Sequence, residues 1–585
     1  MAYIELSLPP GLFRAGTERQ SKNRYWDASL VRWYANRLGP IGGWREFSTS
    51  AADVYELAWT DGDSMEWVSG DAVYWTNSGD IEQDANGVYH VSGVPRAVLT
   101  WRDNSNQAWA AIGTHTGLYV MTVAGVLHQI TPDTTVNLET GADWLLEDGT
   151  DWLLESTAFA TGRADSDYGG GYGSGAYGVG LYGAPGESQT VLLEATQWTL
   201  DTFGQYLIAC LGDSGSIYNW QLDTSADAVA ISGAPTAEAI VVTPENFLMA
   251  IGADGNPRNV QWADQGSLTT WTASATNQAG DLDLVTNGRG RCGKRVRGGT
   301  LIFTDVDVHL ATYIGGTLVY GFQRVASGCG VISKQCVAAI DSSAYWMGKD
   351  GFWMYNGYVQ PMPCDIQDSV FTDKTTDPYR LNRSQSAKVS AIHISAFGEI
   401  WWVYPSADST ECDRAVVYNY REGHWNNHVW DRTCGTNRDA FAYPIMLDSS
   451  GYVYEHEIGI DHDGAEIFAE SGPVELGSGD NLMHARWLVP DEETEGECET
   501  IFKTRDYPAS TEAEYGPYIS GKPTSVRFGA RSTRVRYQQK AEEWLLENGA
   551  EWLAEDSTTM LTEGTSDAVW RIGAPRLEVV PGGRR

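Results

Sequence analysis

The order of apolar and polar positions along the chain carries almost no long 3.6-residue periodicity. Short alternating or apolar runs recur instead, broken by Gly, Asp and Asn. Ala108–Ile112, Gly117–Met121 and Gly125–Ile130 read as three strands joined by short turns. The pattern returns at Tyr206–Cys210 with Ser216–Trp220, and at Phe247–Ile251 with Asn259–Trp262. It returns at Thr300–Thr304 with His309–Tyr313 and Leu318–Gln323, and at Ala344–Gly348 with Gly351–Asn356. Glu399–Tyr404 with Ala415–Tyr420, and Phe441–Leu447 with Tyr452–His456, complete the series. Units of three or four short strands at a spacing of roughly 35–55 residues are the sequence form of a β-propeller. About seven such units lie between Arg96 and Glu457, and the count becomes six or eight depending on whether Ala51–Gly93 supplies another. After about residue 465 the rhythm changes to longer runs, His484–Val489, Glu499–Thr504 and Val526–Tyr537, with an acidic stretch Asp491–Glu499, which suits a β-sandwich. The expected fold class is therefore all-β: a propeller of about six to eight blades, a β-sandwich-like C-terminal domain, and loop and hairpin inserts. The expected division is 1–95, an N-terminal segment partly propeller or platform; 96–464, the propeller with an insert at 132–194; and 465–585, the C-terminal domain ending in a basic tail.

Two kinds of insert interrupt this pattern. Asp143–Glu155 (DWLLEDGTDWLLE) and Glu543–Glu555 (EWLLENGAEWLAE) match at 8 of 13 positions. Each is an internal tandem, Trp144 with Trp152 and Trp544 with Trp552. Asp148-Gly149 and Asn548-Gly549 are two-residue hairpin turn signals, and a mid-segment Gly disfavours the rival amphipathic helix. These hairpins either cover core edges or present Trp144, Trp152, Trp544 and Trp552 as anchors between subunits. The other insert, Asp165–Gly186, spaces Tyr168, Tyr172, Tyr177 and Tyr182 among glycines. It is either a flexible linker or a strap whose Tyr172, Tyr177 and Tyr182 anchor on a neighbouring subunit.

Composition changes the picture in two ways. Acidic residues number 77 against 40 basic ones, a formal charge of −37, so sequence-independent adhesion to DNA, which needs basic groups to release counterions, is disfavoured. Trp, Tyr and Gly are abundant, at 24, 29 and 64, which suits pleated strands and tight turns. The eight cysteines include no CxxC pair and are too sparse for a disulfide scaffold, so they read as buried thiols of a protein folded in a reducing cytoplasm. No apolar run approaches the roughly 20 residues of a membrane helix, and Met1–Pro10 lacks the pattern of a secretory signal.

Catalytic motifs are not evident: GxSxG, HExxH and GxxxxGK[ST] are all missing, and the reading places the chain outside the enzymes, with no catalytic residue, metal or cofactor assigned. The densest ligand-like run, EHEIGIDHDG, holds Glu455, His456, Glu457, Asp461, His462 and Asp463. It reads as a solvated junction between domains or, alternatively, as a cation loop. His424 and His428 read as ordinary blade residues. Propellers also host glycosidases, and Trp401 and Trp402 are able to stack on sugars, so a hydrolase of host surface polysaccharide remains an alternative. The basic residues cluster. Arg289, Arg291, Lys294, Arg295 and Arg297 lie within nine positions with no acid among them, and Arg527, Arg531, Arg534, Arg536 and Lys540 form a second set. Each set either pairs with acids of this chain or a neighbour, or contacts a channel or partner.

The run GLFRAGTERQSKNRYWDASLVRWYANRLGPIGGWREF (Gly11–Phe47) resembles the N-terminal signature of the tail nozzle, or tail tubular, proteins of short-tailed bacteriophages (podoviruses). Ala111–Val120, Trp198–Cys210, Cys329–Ser333, Tyr345–Gly357, Glu399–Ser406 and Arg576–Arg585 are similar to segments of the same family. The resemblance implies a virion tail protein assembled in the bacterial cytoplasm. It implies a homo-oligomeric, hexameric ring of propeller subunits below a tail adaptor, carrying tail fibres and meeting the host cell envelope. Its channel would retain phage DNA and conduct it at ejection without specific binding. A tail hub for fibre attachment or receptor binding is a further alternative.

Overall fold

The structure is a computed structural model whose described residues are 2–35, 37–51, 81–83, 88–132, 161–169, 191–212, 215–475, 481–495, 498–507, 510–519, 521–543, 561–565 and 568–582. Trp144, Trp152, Trp544, Trp552, Tyr172, Tyr177 and Tyr182 lie outside them.

Between Pro95 and His456 the chain folds into successive antiparallel sheets. Their innermost strands are Pro95–Arg102, Trp198–Phe203, Ala239–Val242, Gly290–Val296, Val337–Ile340, Ser390–Ile394 and Arg432–Thr436. Each touches the next in that order, and Arg432–Thr436 returns to Pro95–Arg102. The result is a closed β-propeller of seven blades, numbered here from Pro95. Blade 7 takes three strands from Arg432–His456 and its fourth, Trp44–Glu46, from the other end of the chain. Trp44 locks this seam. Its ring meets Trp430 edge-on at 5.4 Å and its Nε1 donates to Asp463 Oδ2 at 2.6 Å.

Middle strands carry the large buried residues. Glu399–Tyr404 is buried at every position, with Trp401 at 1% and Trp402 at 0% exposure, so these two rings fill the core and face no ligand. The inner strand Gly290–Val296 carries glycine where blade 3 packs close against it: a Cβ on Gly293 would lie 2.6 Å from Val241 Cγ1.

The second body draws strands from both chain ends. One sheet runs Ala2–Glu5, Arg576–Gly582, Leu482–Val489, Thr524–Ala530, and another runs Tyr25–Ser29, Phe468–Ser471, Ser532–Gln539, Cys498–Arg505, Ala513–Ile519. The run Val526–Tyr537, expected as one strand, divides at Arg531 and serves both sheets. The core of this body is continuous with that of blades 4 to 6. Where they join, Arg32 lies buried between Glu399 Oε1 at 2.7 Å and Glu457 Oε1 at 2.6 Å. All eight cysteines are free, and all but the half-buried Cys364 are buried.

Candidate functional site: a charged mouth on the propeller axis

The leading ends of the inner strands converge at one end of the axis, and their charges converge with them. Lys388, fully buried ahead of blade 6, donates to Glu411 Oε1 at 2.7 Å and also pairs with Asp165. Arg96, at the start of blade 1, reaches the same Glu411 carboxylate at 2.8 Å. Lys334, ahead of blade 5, pairs with Glu238 at 2.9 Å. Glu194, ahead of blade 2, is shared by Arg289 and Arg291, the latter at 2.8 Å. Burial would raise the Glu194 pKa, but Arg291 and then Arg289 and Lys334 outweigh it and hold the carboxyl below its usual range. Burial likewise favours a neutral Arg291, and Glu194 overrides it.

Hydrogen bonds span the ring at this level. Gln335 Nε2, from blade 5, donates to the Trp198 carbonyl of blade 2 at 2.7 Å. Gln197 Nε2 donates to the Ala387 carbonyl ahead of blade 6. A strap at 161–169 crosses the mouth: Ser166 exchanges two bonds with Gln385, at 2.8 and 2.9 Å, and Arg96 Nη2 donates to the Ala164 carbonyl at 2.6 Å. Beneath them lies an axial cavity of about 130 Å³ lined by Leu99, Thr199, Asp201, Val241, Lys294 and Lys334. That is smaller than the roughly 300–1,000 Å³ of small-molecule sites, and far too small for a duplex. Outside the mouth a groove of about 400 Å³ runs between Glu194, Arg289 and Arg291 on one side and Asp305, Lys349, Asp350 and Arg383 on the other. The groove alternates in sign, with Arg383 on Asp350 at 3.3 Å and Lys349 on Asp305 at 3.9 Å. Arg291 Nη1 and Arg96 Nε are buried without a hydrogen-bond partner among the described residues, leaving the mouth donors for a small oxygen acceptor.

The structure thus divides the first basic cluster. Arg289 and Arg291 belong to the mouth, Arg295 pairs with Asp201 at 2.8 Å, and Arg297 pairs with Asp341 at 3.0 Å at the surface. Lys294 lines the axial cavity and has no ion pair among the described residues. The second cluster is divided by the strand switch: Arg534 and Arg536 pair with Glu470 at 2.7 and 3.5 Å, while Arg527 faces solvent on the other sheet. The EHEIGIDHDG run does not converge on a cation. His456 Nε2 accepts from Arg432 Nε at 3.2 Å, His462 Nε2 meets the Ile41 carbonyl at 3.1 Å, and Glu457 goes to Arg32. No set of three metal-ligating side chains occurs among the described residues. The junction is solvated only in part: Asp461 and Asp463 are exposed, whereas His456 and His462 are each 2% exposed.

Sequence reasoning missed Arg96, Glu194, Lys334, Lys388 and Glu411. A signal for part of this set exists: Arg291, Lys334 and Lys388 stand 43 and 54 residues apart, each in or just before a short inner strand. Single cations at the blade period mark the mouth of the ring.

No family model and no curated protein matches the chain. Solved structures do. A streptogramin B lyase is 8% identical over 66% of this chain and 93% of its own, at a TM-score of 0.28. BamB from Moraxella catarrhalis is 12% identical over 45% and 82%, at 0.26. A gluconolactonase from Xanthomonas campestris is 9% identical over 45% and 86%, at 0.26. The expectation that placed this chain outside the enzymes is corrected by these matches, because a lyase and a lactonase stand among them. At such identities the likeness concerns the fold and assigns no reaction here.

Proposed function

We propose that this chain is a tail nozzle subunit of a short-tailed bacteriophage, a building block of a hexameric ring through which the genome is held and then passed. The observation that supports it most is the disposition of charge. Bases number 40 against 77 acids, and the cations at the propeller mouth are spent on internal pairs. A wall made from such a surface repels a polyanion, so DNA slides along it instead of sticking. The bridged axis is compatible with the same reading: a single copy offers no bore, so a conduit would be enclosed between copies. The segment Gly11–Phe47 that carries the family resemblance also contributes strands to both bodies, through Tyr25–Ser29 and Trp44–Glu46.

Negative-stain imaging of the purified full-length chain, alone and mixed with the tail adaptor, tests the proposal. The expected result is a ring of copies around an open centre in at least the mixture. Monomers only, in both samples at micromolar concentration, would overturn it.

A further inference from the structure

The sheet Ala2–Glu5, Arg576–Gly582, Leu482–Val489, Thr524–Ala530 turns one face outward. On it lies a groove of about 680 Å³ lined by His484, Arg486, Trp487, Tyr515, Ser525 and Arg527. Its floor is low because two neighbours lack a Cβ: one on Gly529 or on Gly582 would come within 2.8 Å of the His484 ring nitrogens. The imidazole therefore spans the three strands as a flat plate. Arg486 and Arg527 are exposed, and neither has an acidic partner among the described residues. Arg527 Nε donates to Ser525 Oγ at 3.3 Å. Trp487 is 44% exposed, and Tyr515 stacks on Phe528 with ring centres 5.4 Å apart. Two arginines beside aromatic rings, with no acid in the lining among the described residues, are anomalous in a chain of charge −37.

We infer that this groove receives the acidic Trp-Leu segment 143–155 of a second copy of the chain. Charge and side-chain chemistry select the occupant. DWLLEDGTDWLLE carries five acids and no base within 13 residues, with two Trp-Leu-Leu clusters between the acids. The carboxylates answer Arg486 and Arg527, and the indoles answer Trp487, Tyr515 and the His484 plate. A segment inserted in the propeller and a groove on the other body form a heterologous contact, the kind that repeats around a ring. The inference does not rest on the tail reading: it is measured with the chain and a peptide, without adaptor or DNA.

The test titrates full-length chain into a fluorescein-labelled peptide of residues 143–155 and follows anisotropy. Saturable binding is expected, weakened at least about tenfold in Arg486→Glu/Arg527→Glu and weakened by salt, as an interaction between exposed charges requires. The milder Arg486→Gln/Arg527→Gln chain, with an unchanged thermal melt, guards against loss through misfolding and is expected to weaken binding as well. A peptide with Trp144→Ala and Trp152→Ala is expected to lose binding. In sedimentation velocity, wild-type association is expected to rise with concentration and to vanish in the glutamate variant. The proposal is overturned by absence of saturation, by equal affinity of wild-type and variant chains, or by undiminished binding of the Trp-less peptide. Arginine-dependent peptide binding by a chain that stays monomeric overturns the second copy as occupant. A DNA duplex that binds this face and displaces the peptide reassigns it to nucleic acid.

Discussion

His428 shows how much one side chain decides. It stands in the outer strand of blade 6, 1% exposed, with its ring on Trp401 at 4.8 Å, and its Nδ1 accepts the Leu30 N–H at 2.9 Å. An acceptor at Nδ1 requires the neutral ring, and burial with nearby Arg32 lowers the pKa from 6.5 to about 3. The folded pKa lies below the unfolded one, so the stabilisation is fully present above pH 6.5 and is lost as pH falls toward 3, on the order of 4–5 kcal/mol at most. Burial also lowers the pKa of His456 and His462, which adds to the same slope. Denaturant melts between pH 7 and 4 should therefore show stability falling with acid, and His428→Asn, which keeps an acceptor near Nδ1, should flatten that slope by about one proton. An unchanged slope would contradict this account. The thiols behave similarly: burial lifts Cys210, Cys292 and Cys412 to about 12. Burial pushes the half-buried Cys364 up as well, so a native chain should present no fast thiol to a disulfide reagent, with Cys364 the first to react slowly, and eight after denaturation. From sequence, His424 and His428 are expected to be ordinary blade residues. His428 is one by position, but its partner Leu30 is 398 residues away, and no local pattern encodes such a contact.

At the level of strands, legibility followed side-chain size. Glu399–Tyr404 was readable to the residue, because a middle strand buried on both faces needs a run of large apolar groups. The inner strand Gly290–Val296 (GRCGKRV) was opaque, because its glycines and charged residues leave no apolar alternation to read. The closing strand Trp44–Glu46 was invisible as a blade strand for another reason: its three residues pair with Tyr454–His456, far along the chain. Trp44 is the anchor of that seam. Trp44→Ala should cost about 3–5 kcal/mol in denaturant unfolding. It should also raise tryptic cleavage at Arg37 and Arg45, since blade 7 then loses its hold on its fourth strand. Unchanged cleavage would mean that the strand is retained by its backbone pairing alone.

For the molecule as a whole, the all-β repeat and the acid excess were legible, but the charged mouth was not. Sequence clustering drew attention to Arg289–Arg297, whereas the mouth is assembled from single residues, Arg96, Lys334 and Lys388 among them, that come together only when the ring closes. Because the mouth cations are paired internally, the wild-type chain should not retard a DNA duplex in a gel even at low salt. Retardation at micromolar chain would show free cationic surface, and loss of it in Arg486→Glu/Arg527→Glu would place that surface in the groove. The seam at blade 7 has a further consequence in time. Trp44–Glu46 leaves the ribosome some 400 residues before Val453–His456, a wait of about 20–80 s at typical synthesis rates. Until then the ring has an open edge and the first segment has no fixed berth. A nascent chain cut short anywhere before blade 7 therefore cannot close, so a closed ring is a record that translation has passed Val453–His456.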